Sequence, residues 1–83
     1  MISNGVVRVL QGYEKNGENL AVEIPISSVP LEFLQKLFGE RGDEPMYYCY
    51  KLDKDKAMAL QTFINKQVDV EHYDFYLDCH LTV

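Results

Sequence analysis

The stretch Tyr73-Asp74-Phe75-Tyr76-Leu77-Asp78-Cys79-His80-Leu81-Thr82-Val83 alternates with a period of two. Its odd positions, Tyr73, Phe75, Leu77, Cys79, Leu81 and Val83, are apolar, and its even positions, Asp74, Tyr76, Asp78, His80 and Thr82, are polar. That pattern predicts a strand with one dry face and one wet face. From Gln67 to Val83 no Lys or Arg accompanies Asp69, Glu71, Asp74 and Asp78. Solvated sheet faces usually mix both signs of charge, so this wet face, acidic and aromatic together, is expected to attract a basic partner.

Upstream, Val7, Val9, Gln11 and Tyr13 alternate with Arg8, Leu10 and Gly12, and Leu20, Val22, Ile24 and Ile26 resume the alternation after Asn16-Gly17. This predicts a β-hairpin whose tight turn takes its positive backbone angles from Asn16-Gly17. Pro30 marks a helix start, the stripe Leu31, Leu34, Leu37 and Phe38 continues it, and Gly39 stops it. Glu32 and Lys36 sit at the dipole ends that suit their charges. Met46 to Leu52 has strand preference. Asp53 is placed to cap a second helix with Ala57, Leu60, Phe63 and Ile64 on one side, ending at Asn65 or Lys66.

The expected fold is therefore α+β: an antiparallel β-sheet of three to four strands, in the order β-β-α-β-α-β, with two helices packed on one face. The dry residues facing the helices are expected to be Val7, Val9, Leu20, Val22, Ile24, Phe75, Leu77 and Cys79, leaving the other sheet face open. Residues 1–83 should form a single domain, because a chain this short buries only about 60% of its unfolded surface, too little for two cores.

Composition narrows function. The chain is 47% hydrophobic and 25% charged, as folded proteins are. No apolar run approaches the roughly 20 residues that span a bilayer, and Met1-Ile2-Ser3-Asn4 does not begin a signal peptide, so a cytoplasmic location is expected. Cys49 and Cys79 are too few for a disulfide framework and are expected to be free thiols. Residues 1–42 carry four basic and five acidic side chains and residues 43–83 four and eight, so most of the net charge of -5 lies in the second half. Such a balance disfavours nucleic acid and anionic membranes and favours basic proteins, which long-range attraction would steer.

Catalytic and metal readings find little support. Cys49, His72, Cys79 and His80 lack zinc-ligand spacing, and neighbouring strand residues Cys79 and His80 point to opposite faces. For the same reason Asp78-Cys79-His80 cannot form a nucleophilic triangle. Asp74 and Asp78 are about 13 Å apart along a strand, too far for a glycosidase pair. The glycines at 5, 12, 17, 39 and 42 are too scattered for a phosphate loop. No enzyme activity and no cofactor are expected.

Tyrosines carry more information. Tyr47, Tyr48 and Tyr50 cluster in one predicted strand, and Tyr73 and Tyr76 stand on opposite sides of another. Large, rigid and able to donate a hydrogen bond, Tyr is frequent in interface hot spots, although such rings can equally cover the edges of a core. The candidate partner-binding residues are Tyr47, Tyr48, Tyr50, Glu71, Asp74, Tyr76 and Asp78.

Pro45-Met46-Tyr47-Tyr48-Cys49-Tyr50, Tyr73-Asp74-Phe75-Tyr76-Leu77-Asp78 and the helix end Leu37-Phe38-Gly39 together resemble an uncharacterised family of small bacterial proteins. Members of that family resemble immunity proteins of contact-dependent or polymorphic toxin systems. The similarity spans nearly the whole chain, and the ending Cys79-His80-Leu81-Thr82-Val83 departs from it by running on. The resemblance implies a cytoplasmic immunity protein, monomeric or weakly dimeric, that neutralises a cognate toxin domain. Many such toxins are nucleases, basic because they bind phosphates, and an acidic aromatic protein can occupy a basic groove. The alternative expectation is a small regulatory or adaptor domain that self-associates through its open sheet face.

Overall fold

The structure, a computed structural model, describes residues 6–17 and 19–81. Strand β1 (Val6–Glu14) and strand β2 (Leu20–Pro25) form the expected hairpin. Helix α1 (Leu31–Leu37), the short strand β3 (Tyr50–Lys51), helix α2 (Lys54–Gln61) and strand β4 (Tyr73–Leu81) follow in the expected order. The four strands lie as β2-β1-β4-β3, every neighbouring pair antiparallel. The final strand thus enters the middle of the sheet and pairs with β1 from Val6 opposite Leu81 to Glu14 opposite Tyr73.

The hairpin turn differs from the tight form expected. Neither Asn16 nor Gly17 takes a positive φ. The Gly17 N–H donates to the Glu14 carbonyl at 3.3 Å, and the Glu14 N–H to the Asn19 carbonyl at 3.1 Å. The connection is the wider kind built on a turn of ordinary helical hand, and its position 18 lies outside the described residues.

The register reverses the expected orientation of β1. Leu10 opposes Leu77 and Gly12 opposes Phe75, and residues directly opposite share a face. Leu10, Phe75 and Leu77 join Ile24, Ile26, Leu34, Ala57 and Leu60 in one buried cluster. Val7 and Val9, expected to meet the helices, lie on the other face with Gln11 and Tyr13. Leu20 is 46% exposed, because a register shift between Gly12 and Tyr13 sets it opposite Tyr13. Alternation alone fits either orientation of a strand that is apolar at both Val9 and Leu10. Val22 and Ile24 do face the helices. Cys79 opposes Arg8 and is half-buried, and Val83 lies outside the described residues.

Both helices are shorter than their apolar stripes. Pro30 stands just outside α1, and Gly39, with φ at 71°, turns the chain away, as the Leu-Phe-Gly ending predicts. Asp53 caps α2, its Oδ1 accepting from the Lys56 N–H at 2.9 Å. That helix ends at Gln61 and not at Asn65 or Lys66. The Gln61 amide donates to the carbonyls of Ile64 and Lys66 and accepts from the Val68 N–H, so it secures the chain in a turn where the helix would otherwise continue. Phe63 meets Phe33 edge to face at 4.7 Å.

The strand expected from Met46 to Leu52 contracts to Tyr50 and Lys51. Met46 is the reason: its φ of 57° breaks extended backbone, and its side chain is fully buried. Buried Gln35 donates to the carbonyls of Gly42 (3.1 Å) and Glu44 (2.7 Å), and Arg8 donates to the carbonyl of Pro45 at 2.7 Å. The Met46 N–H donates to the Glu44 carboxylate at 3.1 Å. Residues 40–48 thus form an anchored loop.

Candidate functional site

The sheet face turned away from the helices bears, in register, Pro25, Val9 and Asp78 in one row and Glu23, Gln11, Tyr76 and Lys51 in the next. Tyr13 and Asp74 follow, near the hairpin turn. Val9 and Gln11 are buried by these neighbours, and Gln11 Nε2 donates to Glu23 Oε2 at 3.2 Å. Tyr13 and Tyr76 meet edge to face, centroids 6.0 Å apart and planes at 76°. Tyr13, Glu14, Gly17, Asp74 and Tyr76 line an open cleft of about 400 Å³.

Asp74 has a cationic partner that the charge pattern of its own strand did not reveal. Lys15, from the hairpin turn, donates from Nζ to Asp74 Oδ1 at 2.8 Å. That hydrogen bond, with the charges of Lys15 and Lys51, outweighs partial desolvation and holds the Asp74 carboxyl below the usual aspartate range. Asp78 is also engaged: its Oδ1 accepts from the Cys79 N–H at 2.9 Å, and its Oδ2 lies 3.7 Å from His80 Nε2. The expectation of an unneutralised acidic face is therefore corrected. Lysines from β3 and the hairpin turn interleave with the acids of β2 and β4.

The remaining candidates divide. Tyr76 lies at the centre of this face. Tyr47 and Tyr48 are 55% and 69% exposed, carried by the anchored loop leading into β3. Tyr50 faces the helices, against the expectation of a contact residue on the wet surface, because it pairs with Leu77. Its ring packs on Phe38 at 5.0 Å, and its hydroxyl donates to Glu40 Oε2 at 3.0 Å. Burial first, then that hydrogen bond and the charges of Glu40, Glu44 and Tyr48, push its phenol up to about 12. Glu71 is exposed in the turn before β4, beside a groove of about 330 Å³ between α2 and residues 67–71.

That turn is fixed by Asp69, which accepts from the Glu71 and His72 N–H groups and lies 2.7 Å from His72 Nδ1. Desolvation raises the Asp69 carboxyl, but the hydrogen bonds from His72 and Glu71 and the His72 charge leave it below the usual range. Cys49 and Cys79 are both free, and desolvation, then the Asp78 charge, raises the exposed Cys49 thiol. Among the described residues no three His, Cys, Asp or Glu side chains converge as metal ligands, and no helix is long and apolar enough to cross a membrane.

Tyr13, Lys15, Gln11 and Glu23 were not among the sequence candidates. The signal for Tyr13 and Gln11 was their alternation with Leu10 and Gly12, which becomes decisive once Gly12 is set opposite Phe75. Lys15 carried no signal, since only the β1–β4 register brings the hairpin turn to Asp74.

Residues 7–78 match a family described as a domain of unknown function (DUF7683), and with a match over most of its length the chain belongs to that family. No curated protein and no solved structure matches the chain.

Proposed function

We propose that this member of the DUF7683 family is a cytoplasmic immunity protein that binds and neutralises a cognate bacterial toxin domain, a basic nuclease being the best fit. The observation carrying this reading is the sheet face that neither helix reaches, with the Tyr13–Tyr76 pair toward its hairpin-turn end and acids interleaved with lysines around it. Paired tyrosines supply large, rigid contact area at little entropic cost, as hot spots do. Tyr47 and Tyr48, exposed in the loop leading into β3, offer two further rings for contact. Asp78, opposite Val9, lies on the same face, Glu71 opens onto the groove beside α2, and none of these groups acts as a catalyst.

Charge enters differently from the patch that the sequence suggested. The net charge of -5 still steers a basic partner toward the protein, while the local face is mixed and selects by shape and hydrogen bonding. The resemblance of Pro45 to Tyr50 and Tyr73 to Asp78 to an uncharacterised family whose members resemble immunity proteins supports the same reading.

Co-expression tests it. A bacterial host producing a cognate toxin domain, sought first in the gene adjoining this chain's, should survive when the chain is present. Survival should be lost when Tyr13 and Tyr76 are both changed to Ala in a variant that keeps its circular dichroism spectrum. Lack of protection by the unaltered chain would reject the function.

A second reading, self-association through the same face, is favoured by the interleaving of Lys15 and Lys51 with Glu23, Asp74 and Asp78, since a two-fold interface needs a self-complementary surface. A dimer at low micromolar concentration that Tyr76→Ala dissociates would support it.

A further inference from the structure

The cleft lined by Tyr13 and Tyr76 has a cation paired with one of its acids. Lys15 reaches Asp74 from the hairpin turn, and the pair is poorly protected, with side chains 43% and 31% exposed. An exposed ion pair of this kind contributes little to stability and exchanges readily. Around it the lining combines two phenol rings with the carboxylates of Glu14 and Asp74. Aromatic faces beside carboxylates attract cations, and a planar guanidinium serves both better than an ammonium, stacking on a ring while donating to a carboxylate through two N–H groups.

We infer that this cleft is the receptor for an arginine side chain of the partner, and that Lys15 is an internal placeholder which the arginine displaces from Asp74. The inference rests on the proposed binding function for its biological meaning, but the cleft is testable alone. Lys15 keeps the carboxylate partnered in the free protein. Displacement returns its ammonium to water, where little is lost. The incoming guanidinium gains the Asp74 carboxylate together with an aromatic wall, since Tyr13 and Tyr76 line the cleft and Lys15 does not. Glu14 is the second carboxylate within the lining, and Lys51, opposite Tyr76, limits how far the cation site extends toward β3.

The test is a nuclear magnetic resonance titration of the full chain with N-acetyl-arginine amide, using the isosteric, uncharged N-acetyl-citrulline amide as control. The arginine probe should shift the amides of Tyr13, Gly17, Asp74 and Tyr76 saturably, and citrulline should not. Lys15→Gln should tighten binding about two- to fivefold, the range set by losing an exposed ion-pair competitor, and Asp74→Asn should remove it. An equal response to citrulline, undiminished binding by Asp74→Asn, or no tightening in Lys15→Gln would overturn the proposal. No toxin enters this titration, so its failure leaves the co-expression result standing, and lack of protection by the unaltered chain there leaves the cleft's arginine binding untouched.

Discussion

The ring of Phe75 fills the space that a side chain on Gly12 would need: a Cβ on Gly12 would lie 2.8 Å from Cζ and 2.9 Å from Cε1. Phe75 is 1% exposed, so the ring has nowhere to retreat. This contact sets which face of β1 meets the helices and places Tyr13, one residue on, beside Asp74 and Tyr76 on the other. Gly12→Ala should cost about 1–3 kcal/mol by overpacking, measured by urea unfolding. Adding Phe75→Leu should give a double variant less destabilised than the sum of the two changes, because the smaller side chain makes room.

The loop bearing Tyr47 and Tyr48 depends on buried Met46 beside them and on Gln35 in α1. Met46→Ala should destabilise the protein by about 2–5 kcal/mol through lost burial, while Met46→Leu should cost under about 1.5 kcal/mol. Gln35→Ala strands the carbonyls of Gly42 and Glu44 and should cost about 1–3 kcal/mol. Hydrogen exchange should then accelerate in residues 42–48 and not in β1.

The Tyr50 phenol should ionise near pH 12 in alkaline titration, above its ordinary value of 10.0. Because the folded state holds this proton more tightly than the unfolded chain, with its ordinary value of 10.0, the stabilisation is complete below pH 10 and is lost as pH rises toward 12. Absorbance at the phenolate band would follow it, and Tyr50→Phe should delete the step near pH 12.

At the acid end the sign is opposite. Asp53, Asp69 and Asp74 all have carboxyls held below the ordinary 3.8. For Asp53 the leading cause is the backbone hydrogen bond from Lys56. The unfolded chain therefore takes up protons first, and the stability these groups contribute above about pH 4 is lost as pH falls through their lower folded values. Combining Asp53→Asn with Asp74→Asn should flatten the acid limb of the stability curve, as thermal unfolding between pH 2 and 6 would reveal.

The element order and the helix faces could be read from the chain because each rests on local signals: alternation in Tyr73 to Cys79, the Asp53 cap, and the glycine after Leu37-Phe38. What could not be read depends on pairing between distant segments. Val9 and Leu10 offer two equally apolar faces, and only the fit of Phe75 against Gly12 chooses between them. The Tyr47–Tyr50 cluster looks like a strand by composition, yet buried Met46 and the reach of Gln35 and Arg8 hold most of it in a loop. Tyr76 was recognisable as a surface residue from its place in β4. Its partner Tyr13 and the Lys15–Asp74 pair emerge only from the β1–β4 register.

The proposed docking role of the Tyr13–Tyr76 face is tested most directly by calorimetry between the purified chain and a toxin domain against which it protects. Tyr13→Ala combined with Tyr76→Ala should weaken binding by at least about a hundredfold, about 2.7 kcal/mol, as loss of a central hot spot does. An unchanged Kd in a folded double variant would contradict the assignment of this face as the docking surface.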